Sequence, residues 1–394
     1  MFLELHALQS FGPTNLNRDA TGNPKDSLFG AVRRARISSQ SGKRAIRISS
    51  LFQKAIGVEA GVRTKLVAGE VAQRLIAAGT QVDSAHSQAM ALISFVVAGT
   101  DKKNTAKTNV LVYISRDELD LLAQYILENP TLPALLDEYT HLQEASDKKD
   151  KQKEARKKEI GGSLTQIKNS FEKALKNRAL APDIALFGRM LADNPTINVD
   201  AACQFAHALS THEVNAAEFD YFTAVDDRQS DDTSGAAMLG LVAYNSATYY
   251  RCARIDWEQL VNNLHGDIDL ALRTIDGFMR AFALVVPSGK KNSFVNQHHP
   301  DFLMAVLRPD NDGQSLINAF EQPIRAKGSS GYVAPSIEAL ARYWDQTESV
   351  FRLSNPLIAV LNPRQHPLPS QELTAATQGN LPEWIGAILA GLEG

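Results

Sequence analysis

The sequence predicts an α+β protein, because patterns typical of strands lie on either side of a long helical stretch. Apolar and polar residues alternate from Phe2 to Ser10, and Phe11-Gly12-Pro13 ends the alternation. A period of two is typical of a strand, which we place in a central sheet. From about residue 58 to 180 the apolar residues recur at helical spacing instead. After residue 180 extended and helical patterns are mixed.

The first helix is predicted to begin at Ser39 or Ser41. The preceding stretch from Asn15 to Ser38 contains Gly22, Pro24 and Gly30 and is expected to be loop or irregular strand. Helical spacing divides the residues that follow into two faces. The packing face comprises Ala45, Ile48, Phe52, Ala55 and Ile56, and the opposite side presents Lys43 and Arg47 with Arg44 on the flank.

Three features define the helical stretch. Helices are predicted over Thr64 to Ala78 and Asp83 to Ala98, and each is followed by a glycine of the kind that ends a helix. Ser115-Arg116-Asp117-Glu118 has the spacing of a capping box, preceded by an apolar run. That order predicts a strand followed by a helix.

The last part of the chain is predicted to be mixed. Ile184 to Phe187 reads as extended and Asp200 to Leu209 as helical. Tyr221 to Val225 and Leu239 to Tyr250 read as two strands, and the polar span between them as the tip of a long hairpin. A core helix is predicted over Ile268 to Val286.

Composition indicates a protein of the cytoplasm. The chain of 394 residues is 44% hydrophobic and 22% charged, and no apolar run approaches the roughly 18 residues of a membrane span. The N-terminal residues do not resemble a secretory signal. The two cysteines, Cys203 and Cys252, are far apart, so no disulfide framework or structural zinc site is predicted.

Common catalytic motifs are missing from the sequence. His212-Glu213 begins like a zinc-protease motif, but Ala216 stands where the second histidine is needed. His298-His299 has no ligand partners at suitable spacing. We therefore expect no enzyme activity, no metal and no cofactor. The alternative is a metal-dependent RNA endonuclease that uses the acidic cluster Asp226, Asp227, Asp231 and Asp232, although such a cluster is more typical of a solvated turn.

One segment has the charge expected for nucleic-acid binding. Eight basic and only two acidic residues lie between Arg18 and Arg47, although the whole chain carries a net charge of -3. Short polar residues from Ser38 to Ser41 lie at the predicted helix start, a position that favours phosphate. The plainer alternatives are a solvated basic face or a contact for an acidic protein. Lys148 to Lys158 is also basic and is expected to be a solvated helix face or linker.

Several motifs carry a family resemblance. Arg36-Ile37-Ser38-Ser39-Gln40-Ser41 with Lys43-Arg44, the stretch Asp183 to Met190, Ala206-His207-Ala208 and Phe222 to Asp227 occur in one order along the chain. They resemble the CasC family, the backbone (Cse-type) subunit of the type I-E CRISPR Cascade complex. The resemblance implies a palm that resembles an RNA-recognition motif (RRM-like, ferredoxin-like), a helical fingers insertion and a thumb β-hairpin. The corresponding boundaries are 1–57 and 181–394 for the palm, 58–180 for the fingers and 212–251 for the thumb.

The same resemblance implies a function. A backbone subunit binds CRISPR RNA, lines up with other copies of itself and presents the guide in segments for pairing with target DNA in antiviral defence. Expected partners are the large, small and guide-end-capping Cascade subunits and a recruited or fused nuclease. Residues expected to bind RNA are Arg18, Lys25, Arg33, Arg34, Ser39, Gln40, Lys43, Arg44 and Arg47. Met190, Tyr221, Phe222 and Val225 are expected to form a wedge against the bases.

Overall fold

The chain forms two compact units. The computed structural model describes residues 1–101, 103–104, 106–144, 151–214, 217–224, 238–309, 313–326, 328, 331–353 and 355–393. The first unit comprises Met1–Gly57, Cys203–Glu258 and Leu272–Gly394, and the second comprises Val58–Ala202 and Gln259–Ala271. The predicted insertion at 58–180 lies within the second unit, which continues to Ala202.

The strands form one large antiparallel sheet and one small one. In chain order they are β1 (Phe2–Thr14), β2 (Asp26–Phe29), β3 (Val32–Ile37), β4 (Val62–Thr64), β5 (Val112–Ile114), β6 (Cys203–Phe205), β7 (Ala208–Ser210), β8 (Glu218–Ala224), β9 (Met238–Asp256), β10 (Phe302–Arg308) and β11 (Leu357–Leu361). The large sheet has the order β11-β10-β1-β9-β7-β3-β2, and β6 and β8 also pair with β9. The small sheet of β4 and β5 belongs to the second unit.

The helices lie between and after these strands, several of them in consecutive runs. In chain order they are α1 (Ser39–Arg47), α2 (Ser50–Ile56), α3 (Val67–Ala77), α4 (Val82–Val96), α5 (Arg116–Glu128), α6 (Leu132–Glu144), α7 (Lys151–Lys176), α8 (Pro182–Phe187), α9 (Trp257–Asn263), α10 (Ile268–Leu284), α11 (Lys291–Phe294), α12 (Val333–Phe351), α13 (Gln371–Ala375) and α14 (Leu381–Glu393). Two 3₁₀ turns lie at Pro195–Ile197 and Ile317–Phe320. The predicted α+β class is confirmed. Among the described residues, no helix combines the length and apolar character of a membrane span.

Strand β1 is paired along both edges, because it lies between β9 and β10, and most of its residues are buried. Among its buried polar residues, Glu4 and His6 are satisfied by each other and by residues of β9 and β10. Glu4 Oε1 accepts a hydrogen bond from Arg308 Nε at 2.7 Å, and Glu4 Oε2 lies 3.1 Å from His6 Nε2. The other ring nitrogen of His6 lies 2.8 Å from the hydroxyl of Tyr250. The centre of the sheet is thus held by a polar network and by apolar packing.

The core of the second unit is an apolar cluster formed mainly by α3 to α7. The predicted capping box at Ser115 is confirmed: Ser115 Oγ accepts from Glu118 N, and Glu118 Oε2 accepts from Ser115 N at 2.8 Å. Glu118 also accepts from Arg189 Nη1 at 2.6 Å, and both side chains are buried. One carboxylate therefore connects the start of α5 with the chain that follows α8.

Two predicted elements are wrong. Ile184 to Phe187 forms the buried helix α8, begun by Pro182 in its first turn, where the fixed φ of proline suits a helix. Asp200 to Leu209 contains strands β6 and β7, which pair with β9, and β7 also pairs with β3. Pairing with distant strands overrides local helical spacing here.

The first helix is also shorter than predicted. It ends at Arg47, and Ser49 caps a separate helix α2 by accepting from Phe52 N. The buried residue of α1 is Ile46, whereas Ile48 is 46% exposed. The predicted helix at Ile268 and the strands at Tyr221 and Leu239 are present.

Candidate nucleic-acid interface

The basic segment folds into a loop, the β2–β3 hairpin and helix α1. Its loop is ordered by its own side chains. Asp19 Oδ1 accepts from Thr21 N at 2.9 Å and from Asn23 N at 3.0 Å. Asn15 Nδ2 donates to the carbonyl of Gly22 at 3.0 Å. These bonds hold a short loop in one conformation and leave Arg18 on its exposed side.

Most of the predicted RNA-binding residues lie at the surface. Arg18, Arg33, Gln40 and Arg44 are exposed, and Lys25, Ser39, Lys43 and Arg47 are partly exposed. Arg33 also forms an ion pair with Asp26, at 2.5 Å between Nη1 and Oδ2. A carboxylate at that distance offsets the charge of Arg33, so Arg33 contributes less net positive charge than its neighbours.

Arg34 does not belong to this surface, and its prediction as an RNA contact is corrected. Its side chain is 0% exposed. The guanidinium donates to the backbone carbonyls of Ser210 at 3.0 Å and Phe320 at 2.8 Å. It also donates to those of Phe29 and Glu321, each at 3.2 Å. A buried cation surrounded by carbonyls connects segments of the fold rather than binding a ligand.

Helix α1 is placed by close contact with β6. A Cβ atom on Gly42 would lie 2.7 Å from the ring of Phe205, so only glycine allows this approach. At the start of the helix, the Ser38 N–H donates to Asn17 Oδ1 at 2.9 Å. The first turn, Ser39 to Ser41, carries hydroxyl and amide groups and no acid. A helix start of this kind is compatible with an anion.

Sequence reasoning missed two residues beside this surface, Arg36 and His207. Arg36 donates from Nε to the carbonyl of Asp26 at 3.1 Å, and its Nη1 lies 3.2 Å from His207 Nδ1. The register that pairs Arg36 with Leu209 brings His207 to this place. The only local signals were the basic character of Arg36 and the Ala206-His207-Ala208 motif, which does not reveal its partner.

A cavity of about 420 Å³ lies beside the hairpin in the first unit. It has a mixed lining in which three cations face two carboxylates and one aromatic ring. The lining residues are Asp19, Asn23, Pro24, Lys25, Asp26, Arg33, Arg36, Val214, Ala217, Phe219 and Asn245. Such a lining offers charged donors together with an apolar surface, as a nucleotide requires.

The predicted thumb strands form an exposed ribbon. Every residue of β8 is exposed, and β8 pairs with β9 from Glu218↔Tyr244 to Ala224↔Met238. Tyr221 is 70% exposed, and the ring of Phe222 covers Gly240, where a Cβ atom would lie 2.1 Å from it. Val225 and the acidic cluster at 226–232 lie outside the described residues.

Met190 belongs to the second unit and is 87% exposed. It follows Arg189, whose backbone forms a bridge with Val199. A large apolar side chain this exposed is available for contact with another molecule.

Within the described ranges, no group of three or more histidine, cysteine or acidic side chains could hold a metal ion.

Comparison with solved structures reveals the class to which this fold belongs. A chain of a structure described as "CRISPR RNA-guided surveillance complex, pre-nicking" is 29% identical, with a TM-score of 0.77 over 100% of both chains. A chain of another "CRISPR RNA-guided surveillance complex" is 27% identical, with a TM-score of 0.69 over 99% of this chain and 100% of that one. The fold is therefore similar to that of chains of CRISPR RNA-guided surveillance complexes, the Cascade type of CRISPR-associated assembly.

The chain belongs to the CT1975-like protein family of Cas proteins, whose sequence pattern matches residues 3–387. No curated protein matches the sequence. The expected CRISPR association is thereby confirmed. Assignment to the CasC family of type I-E complexes stays a prediction.

Proposed function

We propose that this chain is a non-catalytic, RNA-binding backbone subunit of a type I-E Cascade complex, which oligomerises along CRISPR RNA in the cytoplasm. In this proposal the first unit contains the RRM-like palm and the thumb, and 58–180 forms the fingers. The observation that carries the proposal is the likeness to a surveillance-complex chain over the full length of both chains, at 29% identity. The partners are the other Cascade subunits, a nuclease, and target DNA that pairs with the guide.

The basic surface supports this role through its chemistry. Its cations come from the loop before β2 and from helix α1, and they suit successive phosphates of one strand. Base pairing with the target has to read the sequence, so the protein must bind backbone and leave the pairing edges of the bases free. Arg18, Lys25, Lys43, Arg44 and Arg47 form this phosphate-binding surface in the proposal.

The exposed ribbon supports the second part of the role. Tyr221 and Phe222 on β8 present exposed apolar surface in the first unit, and Met190 presents its own in the second unit. Aromatic side chains stack on bases with little sequence preference. In the proposal these residues wedge between bases of the guide and so divide it into exposed segments.

The RNA-binding surface is tested with the triple variant K43A/R44A/R47A. The wild-type chain, expressed with its guide and partner subunits, is expected to co-purify with RNA, whereas the triple variant loses most of it at moderate salt. The control is R342A, which removes an arginine 63% exposed on α12 and paired with Glu338. Equal RNA retention by the triple variant and by R342A would refute the assignment of this surface.

The absence of catalysis needs a separate test. The assembled complex is incubated with magnesium and RNA complementary to the guide, and we expect the RNA to stay intact. Cleavage that is lost on changing Asp226 or Asp227 to alanine would refute the non-catalytic assignment, because carboxylates can hold the ions that cut phosphodiesters.

A further inference from the structure

Three basic side chains from separate segments lie together at the edge of the hairpin. Lys25 precedes β2, Arg36 lies in β3 and His207 lies in the turn between β6 and β7. The backbone N–H of Arg36 donates to the carbonyl of Lys25 at 2.9 Å, which fixes the two residues side by side. His207 is exposed, and its Nδ1 lies 3.2 Å from Arg36 Nη1.

The contact between Arg36 and His207 fixes the tautomer of the imidazole. A guanidinium has donors and no acceptor, so His207 Nδ1 must accept. The proton of the neutral ring then lies on Nε2, which is a donor directed away from Arg36. In the free chain the cluster therefore offers the ammonium of Lys25, the remaining N–H groups of the Arg36 guanidinium and the Nε2–H of His207.

The charged groups around His207 are mostly positive. Partial desolvation lowers the pKa of the His207 imidazole, and the charges of Arg36 and Lys25 lower it further. On the hairpin, Asp26 is paired with Arg33 through its carboxylate, and its carbonyl accepts from Arg36. On α1, which contacts β6, the charge of Lys43 acts on the Cys203 thiol. Burial raises the pKa of that thiol to about 12, and Lys43 opposes the rise. Lys25 and Arg36 thus oppose protonation of His207.

We propose that Lys25, Arg36 and His207 form a subsite for the phosphates of the bound RNA, with an imidazole N–H of His207 as one donor. This inference rests on the RNA-binding role proposed above and adds His207 to it. A bound phosphate supplies the negative charge that the cluster lacks. Its presence favours the imidazolium, so binding of RNA takes up a proton at Nδ1 of His207. This nitrogen then no longer accepts from Arg36, whose guanidinium is released to donate to the phosphate.

The uptake of a proton makes the affinity for RNA depend on pH, in a direction that can be measured. Over the pH interval between the pKa of His207 in the free chain and its higher value in the complex, RNA affinity rises as pH falls. For one proton the steepest rise is about tenfold per pH unit. Replacement by glutamine keeps a neutral N–H donor and removes the proton uptake.

The experiment measures binding of fluorescently labelled oligouridylate to the full chain by anisotropy, at constant salt, from pH 5.5 to 7.5. Uracil does not titrate in that range, so the protein alone carries the pH dependence. Wild type is compared with H207Q and with the control H86Q, which changes an exposed histidine of the second unit. Thermal melts show whether each variant is folded.

We expect wild type and H86Q to gain affinity equally as pH falls. H207Q is expected to bind within a few-fold of wild type at pH 7.5 and to gain clearly less affinity at pH 5.5. Equal gains for wild type and H207Q would overturn the subsite while leaving RNA binding intact. No binding by wild type at any pH would instead overturn the proposed function, and the subsite with it.

Discussion

Replacement of Arg34 by alanine separates the residues that hold the fold from those that bind RNA. Arg34 lies in the interior of the first unit, and R34A removes its four hydrogen bonds to carbonyls. Arg44 is the matched control, because it is an arginine of the same basic segment that lies at the surface. The two alanine variants are expected to have opposite effects.

The size of the effect follows from the carbonyls that lose their donor. Those of Ser210 and Phe320 are bound in buried surroundings, at 3.0 and 2.8 Å. Each buried acceptor left without a partner costs about 1–3 kcal/mol. Two of them give a loss of about 3 kcal/mol or somewhat more. For a domain of roughly 150–250 residues this lowers the melting temperature by about 6–12 °C.

Intrinsic fluorescence provides a selective assay. All three tryptophans, Trp257, Trp344 and Trp384, belong to the first unit, so their emission follows the unfolding of that unit. R34A is expected to melt several degrees lower, whereas R44A melts with wild type and loses RNA affinity. If R34A melts with wild type and loses as much RNA affinity as R44A, the structural role of Arg34 is refuted.

A substitution at Gly30 tests the same buried region around Arg34. Gly30 has a φ of +60°, and a Cβ atom there would lie 1.7 Å from the carbonyl oxygen of Glu321, one of the acceptors of Arg34. G30A is therefore expected to lower the melting temperature in the same fluorescence assay. G22A is the control, since Gly22 also has a positive φ but has open space around it. Equal melting of the two variants would contradict the close approach at Gly30.

Two further predictions concern buried charges. E118Q leaves the buried cation of Arg189 without its carboxylate and is expected to destabilise the second unit by about 3–5 kcal/mol. An unchanged melting temperature, followed by the circular dichroism of the helices, would contradict this. Burial alone would lower the pKa of His6, but contacts with Cys252 and Glu4 raise it to about 9. That contribution to stability is complete below about pH 6.5 and is lost as pH rises through about 9. The melting temperature of wild type should fall more steeply over this range than that of H6Q, and parallel curves would argue against a charged His6.

Local signals in the sequence predicted the local features of the fold. The capping box at Ser115 and the helix at Ile268 depend on contacts within a few residues, and both are present. The predicted helix at Asp200 to Leu209 is replaced by strands β6 and β7. Their pairing with β9 joins residues about 50 positions apart, as in Cys203↔Ile255. Spacing within a short window carries no information about such a partner.

The candidate site also has features that the local sequence predicts and features that it does not. The basic segment was visible from its composition, but Arg33 and Arg34 look equivalent in a list of charges. Once β3 is known to be a strand, its alternation places them on opposite faces, one exposed and one buried. His207 has no such signal, because its neighbour Arg36 lies 171 positions away in the chain.

A salt titration tests directly whether the surface of α1 binds RNA phosphates. The affinity of the full chain for single-stranded RNA is measured against salt concentration for wild type, R44A and R342A. Each phosphate contact contributes about 0.7 to the slope of log affinity against log salt for single strands. We expect a slope smaller by about that amount for R44A and an unchanged slope for R342A. Equal slopes for all three chains would contradict this expectation.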